Sequence, residues 1–266
     1  MPTAPHPGTA LVTGASSGIG AAYADRLARR GHDLVLVARC PDRLEALAQR
    51  LSRATGRTVE YIAADLTDPD RLARVESLLR TDGRVTTLVN TAGLCAAAPL
   101  LETDAERLTA MIGLNVTALA RLTHAAVPGL VRRGGGTVVN VACVTGIRPE
   151  LLGGVYAATK AFVLAFSQSL RHELADRNIR VQAVCPGAVA PGTPPEHAPG
   201  EETAMTAGDL VDAALAGLDQ GEFVTIPSLP DPRAWEEFEA ARRRLTWADL
   251  SRRTPAARYG VGRAAA

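Results

Sequence analysis

The sequence predicts a doubly wound α/β fold, in which helices cover both faces of a seven-stranded parallel sheet. Short β-branched runs alternate with longer helical patterns from Thr9 to about Ile226, as in repeated βαβ units. The run Leu34 to Val37 is continuously apolar, which is typical of a strand covered on both faces. Because crossovers between parallel strands are right-handed, we expect a ligand crevice beyond the carboxyl ends of the strands.

The strands are predicted, in chain order, at Thr9 to Thr13, Leu34 to Ala38, Glu60 to Ala63, Thr87 to Asn90, Thr137 to Val141, Arg180 to Val184 and Phe223 to Ile226. Between them, apolar residues recur at three- and four-residue spacing, which predicts amphipathic helices; Leu44, Leu47, Ala48 and Leu51 are one such set. No linker long enough to separate a pair of domains occurs before Pro186. We therefore expect one domain over residues 1–266, with its core at 8–227.

Two segments interrupt the alternation. Residues 186–208 are rich in Pro and Gly, which predicts a substrate loop beside the crevice. Residues 228–266 form a C-terminal tail with a predicted helix from Ala234 to Leu245 and the run Arg242-Arg243-Arg244. The favoured interpretation of the tail is packing or subunit contact, with the arginines in solvent.

Composition and charge limit the possible classes of partner. The chain has 266 residues, 47% of them hydrophobic and 21% charged, with a formal net charge of +1. This balance is typical of a soluble globular protein, and it offers no electrostatic footprint for nucleic acid or a membrane surface. No run approaches eighteen uninterrupted apolar residues and no signal peptide begins the chain, so we expect a cytoplasmic protein.

The four cysteines are Cys40, Cys95, Cys143 and Cys185. They form no C-x-x-C pair and have no histidine at metal-ligand spacing. This pattern favours reduced thiols over a disulfide or zinc framework, so no metal site is predicted.

A glycine-rich loop follows the first predicted strand and opens a helix. It reads Thr13-Gly14-Ala15-Ser16-Ser17-Gly18-Ile19-Gly20. Glycines let the backbone turn tightly and approach a pyrophosphate, whose charge the amides at the helix N-terminus stabilise. The order strand, loop, helix therefore predicts a dinucleotide site of the Rossmann type.

The end of the second strand indicates which dinucleotide is bound. NAD-binding folds usually place an acid there on the adenosine ribose, whereas this chain has Arg39, which can pair with the 2′-phosphate of NADP. The alternative is an arginine in solvent at a helix entrance. Asp65, after the third strand, either accepts from the adenine amino group or caps the following helix, and the sequence leaves both open.

Tyr156 and Lys160 are the pair of residues in the sequence that is best suited to acid–base catalysis. Their i, i+4 spacing on a helix puts both side chains on one face. Reducing a ketone needs an acid that gives a proton to its oxygen, and making a phenolate at neutral pH costs about 4 kcal/mol. A fixed ammonium beside the phenol would lower that cost.

These motifs together resemble the short-chain dehydrogenase/reductase superfamily, of the type called classical, from about Thr9 to Val189. Thr13 to Gly20 is similar to the family's T-G-x-x-x-G-x-G, and Asn90-Thr91-Ala92-Gly93 to its N-N-A-G. Tyr156 and Lys160 match its Y-x-x-x-K pair, Asn115 its structural and proton-relay asparagine, and Pro186-Gly187 the turn beneath the nicotinamide. Arg39 matches the position that marks NADP preference.

The resemblance implies a hydride-transferring oxidoreductase that forms dimers or tetramers through its fourth and fifth helices. It implies NADP(H) as the cofactor and Asn115, Cys143, Tyr156 and Lys160 as the catalytic positions. The implied cofactor-binding residues are Gly14, Ser16, Ser17, Gly18, Ile19, Gly20, Arg39, Asp65, Leu66, Asn90, Ala92, Gly93, Tyr156, Lys160, Pro186, Gly187 and Val189.

Cys143 is the main departure from the family, because it stands where the catalytic serine is expected. A thiol is a larger and weaker hydrogen-bond donor than a hydroxyl. Three outcomes stay open: a slower ordinary reductase in which Thr145 or a water helps hold the substrate oxygen, a reaction in which the sulfur is a nucleophile, or an NADP-binding protein with little turnover.

Two further departures lie near the cofactor. Pro191 replaces the threonine that commonly holds the nicotinamide carboxamide, with Thr193 as a shifted substitute, and Thr91 replaces the second asparagine of N-N-A-G. The segment from Pro191 to Ala207 is also shorter than the helical lid of many relatives. We therefore expect an open cleft, suited to a bulky or carrier-bound carbonyl or alcohol.

Overall fold

A computed structural model of the protein describes residues 7–95, 100–151, 154–189 and 204–261. Seven parallel strands form one sheet in the order β3-β2-β1-β4-β5-β6-β7, which confirms the predicted doubly wound, Rossmann-type α/β fold. The strands are β1 (Thr9–Thr13), β2 (Asp33–Ala38), β3 (Val59–Ala63), β4 (Val85–Asn90), β5 (Gly136–Val141), β6 (Ile179–Val184) and β7 (Val224–Thr225).

Helices lie on both faces of the sheet. Successive residues of a strand point to opposite faces of the sheet, so they pack in different hydrophobic clusters. Val12 packs in one cluster and Leu11 in the other. This two-sided burial explains why the inner strands are continuously apolar. The helices are α1 (Gly18–Arg29), α2 (Pro41–Thr55), α3 (Pro69–Thr81), α4 (Ala105–Ile112), α5 (Leu119–Arg132), α6 (Val155–Glu173), α7 (Ala207–Asp219), α8 (Arg233–Arg243) and α9 (Trp247–Leu250).

The two edge strands, β3 and β7, differ from the inner strands. Most of β3 is accessible, and Tyr61 is 41% exposed. At the other edge, β7 pairs with β6 over only two residues, whereas the sequence predicted a strand from Phe223 to Ile226. An edge strand has a neighbour on one side only, so its ends fray more readily than those of an inner strand.

A single helical run from α4 to α5 includes a π-helical turn at Gly113–Ala118. Within the described ranges, this run, Ala105–Arg132, has the length and apolar character of a membrane-crossing helix. Core helices of soluble proteins share those properties, and α5 contributes Leu122, Ala125 and Ala126 to the core beneath the sheet. Pi-helical turns interrupt helices frequently at functional sites, and this one carries Asn115.

Residue contacts divide the chain into two compact units with the boundary between Pro227 and Ser228. The second unit contains α8, whose bounds are close to those of the helix predicted from Ala234 to Leu245. Within it, Arg242 makes a two-pronged ion pair with the buried Glu239, with both distances 2.9 Å. Residues 190–203 of the predicted substrate loop lie outside the described ranges. The predictions about Pro191, Thr193 and a short lid concern that segment.

Candidate active site

A cleft of about 740 Å³ lies beyond the carboxyl ends of β1, β2, β3 and β4. Its volume is within the range of small-molecule and cofactor pockets. Most predicted cofactor residues line it, namely Gly14, Ser16, Ser17, Gly18, Ile19, Gly20, Arg39, Asp65, Leu66, Ala92 and Gly93. The loops after four separate strands therefore converge on the crevice that the topology predicts.

The glycine loop has the shape of a phosphate cradle. A Cβ at Gly20 would lie 2.3 Å from the carbonyl oxygen of Gly14, so only glycine fits there. Gly18, the first residue of α1, has φ +52°, and a Cβ there would meet nothing within 4 Å. The loop therefore has no space for a side chain at Gly20, where it contacts its own backbone, but has free space beside Gly18, where α1 begins. A pyrophosphate fits at this helix N-terminus, where backbone amides and the helix dipole favour an anion.

Thr13 joins the glycine loop to the segment after β4. Its hydroxyl oxygen accepts hydrogen bonds from the amides of Thr91 (3.1 Å) and Ala92 (3.2 Å). The Thr91 hydroxyl donates in return to the carbonyl oxygen of Thr13. The departure at Thr91 thus provides a tie between two cofactor-facing loops, which the motif comparison alone did not reveal.

Asn90 does not line the cleft. Its side-chain amide donates to Thr123 Oγ1 (3.1 Å) and Asn140 Oδ1 (2.9 Å), and Asn140 donates onward to Ser167 Oγ at 3.0 Å. All four residues are buried. This network joins β4, β5, α5 and α6, so the Asn90 side chain positions the site rather than contacting a ligand in the cleft.

Two arginines line the adenosine end of the cleft. Arg39 follows β2, and Arg43 lies in the first turn of α2. Arg43 was not predicted, although its place four residues after Arg39 was a usable signal. Both are exposed, so a phosphate can reach them. The pair makes this end of the cleft electropositive.

Asp65 lines the same end, and the structure excludes one of its two predicted roles. Its carboxylate accepts from the amide (2.9 Å) and the hydroxyl (2.7 Å) of Thr67, whereas Asp68 caps α3. Burial raises the pKa of Asp65, but the Thr67 hydrogen bonds and the Arg39 charge outweigh it and hold the pKa below its usual range. The capping hypothesis for Asp65 is therefore wrong, and an ionised acceptor faces the cleft.

Tyr156 and Lys160 lie together on the first turns of α6. The Lys160 ammonium is buried, 5.7 Å from the centroid of the Tyr156 ring, and donates to the carbonyl oxygen of Val141 at 3.0 Å. Gly146 makes this packing possible, because a Cβ there would lie 2.6 Å from the Lys160 carbonyl oxygen. The turn after β5 is thereby held directly against α6.

Asn115 connects the cleft to this pair. Its amide nitrogen donates to the carbonyl oxygen of Leu94 (2.9 Å) and to Thr159 Oγ1 (3.0 Å), and its Oδ1 accepts from the Leu94 amide at 2.8 Å. A Cβ at Gly93 would lie 3.2 Å from Asn115 Oδ1 and 3.6 Å from Lys160 Nζ. Both N–H donors of the Asn115 side chain are used, so its role is to hold the segment after β4 against α6.

Two thiols lie near Tyr156. Cys143, 9% exposed, and Cys95, which is exposed, both interact electrostatically with Tyr156. Cys143 thus occupies the position beside Tyr156 that its place in the sequence predicts. The Thr145 hydroxyl is buried and has no hydrogen-bond partner among the described residues, so it is not presented to a substrate. Cys95 was not predicted, although it lies two residues after the motif from Asn90 to Gly93.

Burial has the largest effect on the pKa values of Tyr156 and Lys160. It raises the pKa of Tyr156 above its ordinary value, and the Cys143 and Cys95 thiols raise it further. Burial also lowers the pKa of Lys160, an effect that the three nearby thiols oppose. The phenol is therefore protonated at neutral pH and can donate a hydrogen bond to a carbonyl oxygen.

The turn after β6 closes the other side of this region. The Pro186 carbonyl oxygen accepts from the amide of Val144 at 2.9 Å, beside Cys143. Val189 forms an isolated parallel bridge with Met205, the two residues lying on either side of 190–203. Pro186, Gly187 and Val189 do not belong to the lining of the large cleft. Pro186 borders the region around Cys143 instead.

Comparison with known proteins assigns the family. The family model described as short chain dehydrogenase matches residues 8–201. The chain belongs to the short-chain dehydrogenase family. Among curated relatives, the sulfoacetaldehyde reductase of Chromohalobacter salexigens is 38% identical over 242 residues, which cover 89% of this chain and 94% of that protein.

Solved structures of the short-chain dehydrogenase family resemble the whole chain. The short-chain dehydrogenase from Sphingobium yanoikuyae in complex with NADPH is 46% identical with a TM-score of 0.89, over 95% of this chain and 100% of that one. The bulky-bulky ketone specific alcohol dehydrogenase from Comamonas testosteroni is 44% identical with a TM-score of 0.87, over 95% and 98%. The protein is thus an oxidoreductase of this family, whose chemistry is carbonyl and alcohol redox with NAD(P).

No cluster of His, Cys, Asp and Glu side chains with metal-binding potential occurs among the residues that the structure describes.

Proposed function

We propose that this protein is an NADPH-dependent reductase of bulky ketones, in which Tyr156 protonates the carbonyl oxygen. The observation that carries the proposal is the placement of Tyr156 and Lys160, 5.7 Å from ammonium to ring centroid, beside the end of the cleft that Gly93 borders. Arg39 and Arg43 at the opposite end suit the 2′-phosphate of NADPH.

Each residue of the cluster has a distinct task in this proposal. Bound NADPH supplies the hydride. The Tyr156 hydroxyl donates a hydrogen bond to the carbonyl oxygen and transfers its proton as negative charge develops there. Lys160 stabilises the phenolate that results and holds the nicotinamide ribose. Asn115 positions the backbone around Leu94, and the Cys143 thiol orients the substrate oxygen.

Two observations support a bulky substrate. Tyr156 is only partly buried, and Cys95, which interacts with it electrostatically, is exposed. The Comamonas testosteroni enzyme, 44% identical over 95% of this chain, is specific for bulky-bulky ketones. A ketone with a large group on each side of its carbonyl can be accommodated where the catalytic hydroxyl lies near solvent.

Steady-state turnover tests the proposal. NADPH oxidation is measured with small ketones, aldehydes including sulfoacetaldehyde, and ketones that carry an aromatic ring on each side. We expect the highest kcat/KM with the last group. Failure on every carbonyl, with micromolar NADPH binding by calorimetry, would instead favour a cofactor-binding protein with little catalysis.

Cys143→Ser tests the thiol in the serine position. We expect this variant to preserve or increase the rate of ketone reduction, because a hydroxyl is the stronger hydrogen-bond donor. The measurement is kcat with saturating NADPH. A loss of about 10²-fold or more, equivalent to about 2.7 kcal/mol, would show that the sulfur itself takes part in the chemistry.

Arg39→Ala tests the preference for NADPH. Removing a charge-assisted contact to phosphate costs about 1.5–3 kcal/mol, so we expect NADPH to bind about 10- to 100-fold more weakly while NADH affinity is unchanged. Fluorescence titration of both cofactors measures this, with Arg43→Ala in parallel. Arg53, exposed on α2 but not among the cleft lining, provides the matched control Arg53→Ala. Tighter binding of NADH than NADPH by the unmodified protein would contradict the assignment.

We also propose that the protein is a cytoplasmic homodimer or homotetramer, as the family resemblance implies. Ile112 on α4 (44% exposed) and Phe162 on α6 (37% exposed) are apolar side chains at the surface that an oligomer could cover. Light scattering of the purified chain at several concentrations measures the assembly, and a monomer throughout would contradict it.

A further inference from the structure

Thr159 lies on α6 between Tyr156 and Lys160, and the mechanism described above gives it no task. It is 3% exposed. Its hydroxyl oxygen accepts a hydrogen bond from the Asn115 side-chain amide at 3.0 Å, and the hydroxyl donates to the carbonyl oxygen of Tyr156 at 2.7 Å. A hydroxyl has a single donor, so the donor of Thr159 is committed to the backbone of Tyr156.

The bond from Thr159 reaches the start of α6, where a helix has few hydrogen bonds of its own. The first four amides of a helix have no partner within it. Gly154 is the N-cap residue of α6, and no side-chain hydrogen bond caps this end. Tyr156 is the second residue of the helix. The Thr159 hydroxyl, which bonds back three residues as threonine can in a helix, therefore ties down the first turn at Tyr156 itself.

Asn115 fixes the other side of this tie. It is 1% exposed and lies in the π-helical turn. The Leu94 backbone holds its side chain with hydrogen bonds of 2.8 and 2.9 Å, so the amide that meets Thr159 has a fixed position. A chain of hydrogen bonds thus runs from the segment after β4, through Asn115 and Thr159, to the Tyr156 backbone.

A second hydroxyl on α6 shows what is particular to Thr159. Ser167 also accepts from a buried side-chain amide, that of Asn140 (3.0 Å), and donates to a carbonyl oxygen one turn back, that of Val163 (2.7 Å). Val163 is a core residue with 0% exposure. The Ser167 bonds therefore fasten α6 to the core, whereas the Thr159 bonds end at Tyr156.

We propose that Thr159 is a positioning residue for the reaction, whose hydroxyl fixes the Tyr156 backbone so that the phenol is held in the geometry that proton transfer requires. The inference rests on the proposed function, in which Tyr156 is the acid. Thr159 acts through Tyr156 and contacts neither substrate nor cofactor. Misplacing a reacting group by about 1 Å can cost about 10²-fold in rate, so the bond to the Tyr156 carbonyl contributes to kcat.

Thr159→Val tests the hydroxyl, because it removes that group and keeps the branched shape of the side chain. We expect kcat for a bulky ketone to fall about 10-fold, with the KM for NADPH unchanged, since Thr159 is not among the residues that line the cofactor cleft. Thr159→Ser keeps the hydroxyl and is expected to restore kcat. Thr159→Ala also lacks the hydroxyl and takes the place of Thr159→Val if that variant does not fold.

Thr55→Val is the matched control. The Thr55 hydroxyl likewise donates to a helix carbonyl, that of Leu51 (2.8 Å), and accepts from a nitrogen, the Arg57 amide (3.3 Å). It lies at the end of α2 and does not line the cleft. This variant should keep the kcat of the unmodified protein even if its melting temperature falls.

NMR of the full-length protein with ring-labelled tyrosine gives a readout that requires no activity. The chain has four tyrosines, and the signal that Tyr156→Phe lacks belongs to Tyr156. We expect Thr159→Val to shift this signal, and Thr159→Ser and Thr55→Val to leave it in place.

The outcomes separate this inference from the proposed function. If Tyr156→Phe retains kcat, the proposed acid is wrong, and the NMR signal alone then decides whether Thr159 positions Tyr156. If Tyr156→Phe loses kcat, the inference is overturned when Thr159→Val retains kcat, when Thr159→Ser fails to restore it, or when the KM for NADPH rises as kcat falls. An unshifted Tyr156 signal in Thr159→Val overturns it in either case.

Discussion

Replacing Tyr156 with phenylalanine is expected to lower kcat for ketone reduction by about 10²- to 10⁴-fold, or about 3–5 kcal/mol of transition-state stabilisation. The substitution removes the hydroxyl of a ring that lies 5.7 Å from the buried Lys160 ammonium and interacts electrostatically with the Cys143 thiol. Without it, no positioned acid gives a proton to the developing alkoxide. Steady-state kinetics with a bulky ketone measures the loss, and NADPH affinity should change little because the ring remains.

Tyr61→Phe is the matched control for this experiment. It removes the same atom from Tyr61 on the edge strand β3, which is 41% exposed and does not line the cleft. Its kcat should equal that of the unmodified protein. If Tyr156→Phe retained most of the unmodified kcat, the acid would have to be another group and the assigned mechanism would be wrong.

Replacing Gly20 with alanine is expected to disable the cofactor site. The new Cβ would lie 2.3 Å from the Gly14 carbonyl oxygen and 2.6 Å from its carbonyl carbon. Both contacts are with backbone, so the glycine loop must distort, at a cost of about 1–3 kcal/mol as in other overpacked sites. We expect a lower melting temperature, and NADPH affinity weakened about 10-fold or more because the loop no longer fits the pyrophosphate. Thermal unfolding and calorimetry measure the two effects.

Gly113→Ala is the control for the loss of a glycine as such. Gly113 has helical backbone angles of φ −53° and ψ −47°, and a Cβ there would meet nothing within 4 Å. Alanine is favoured over glycine in helices by about 1 kcal/mol, so this variant should be as stable as the unmodified protein or more so. Unchanged NADPH binding by Gly20→Ala would show that the loop does not hold the cofactor.

Local sequence carried the prediction of the fold and of most of the cofactor cleft. The inner strands were recognisable because burial on both faces makes each one continuously apolar, as in Leu34 to Val37. The glycine loop was recognisable because Gly20 meets a steric requirement within its own loop. The edge strand β7 was less well predicted, because it pairs over only two residues, Val224 and Thr225, although both are buried.

Contacts between distant segments were decided by the tertiary structure. Asp65 was ambiguous between ligand contact and helix capping until Asp68 was found at the α3 N-terminus. Arg43 was identified as a cleft residue only from the structure, in which the first turn of α2 borders the cleft. The Asn90 side chain was expected at the cofactor, but buried hydrogen bonds to Thr123 and Asn140 direct it into the core.

By itself, the sequence determined the order of strands and helices, the glycine turn and the pairing of Tyr156 with Lys160, because each depends on residues that are neighbours in the chain. Only the tertiary structure decided what surrounds the Tyr156 hydroxyl. Cys95 and Cys143 follow different strands, and both interact electrostatically with Tyr156 because parallel pairing aligns the carboxyl ends of β4 and β5 beside α6.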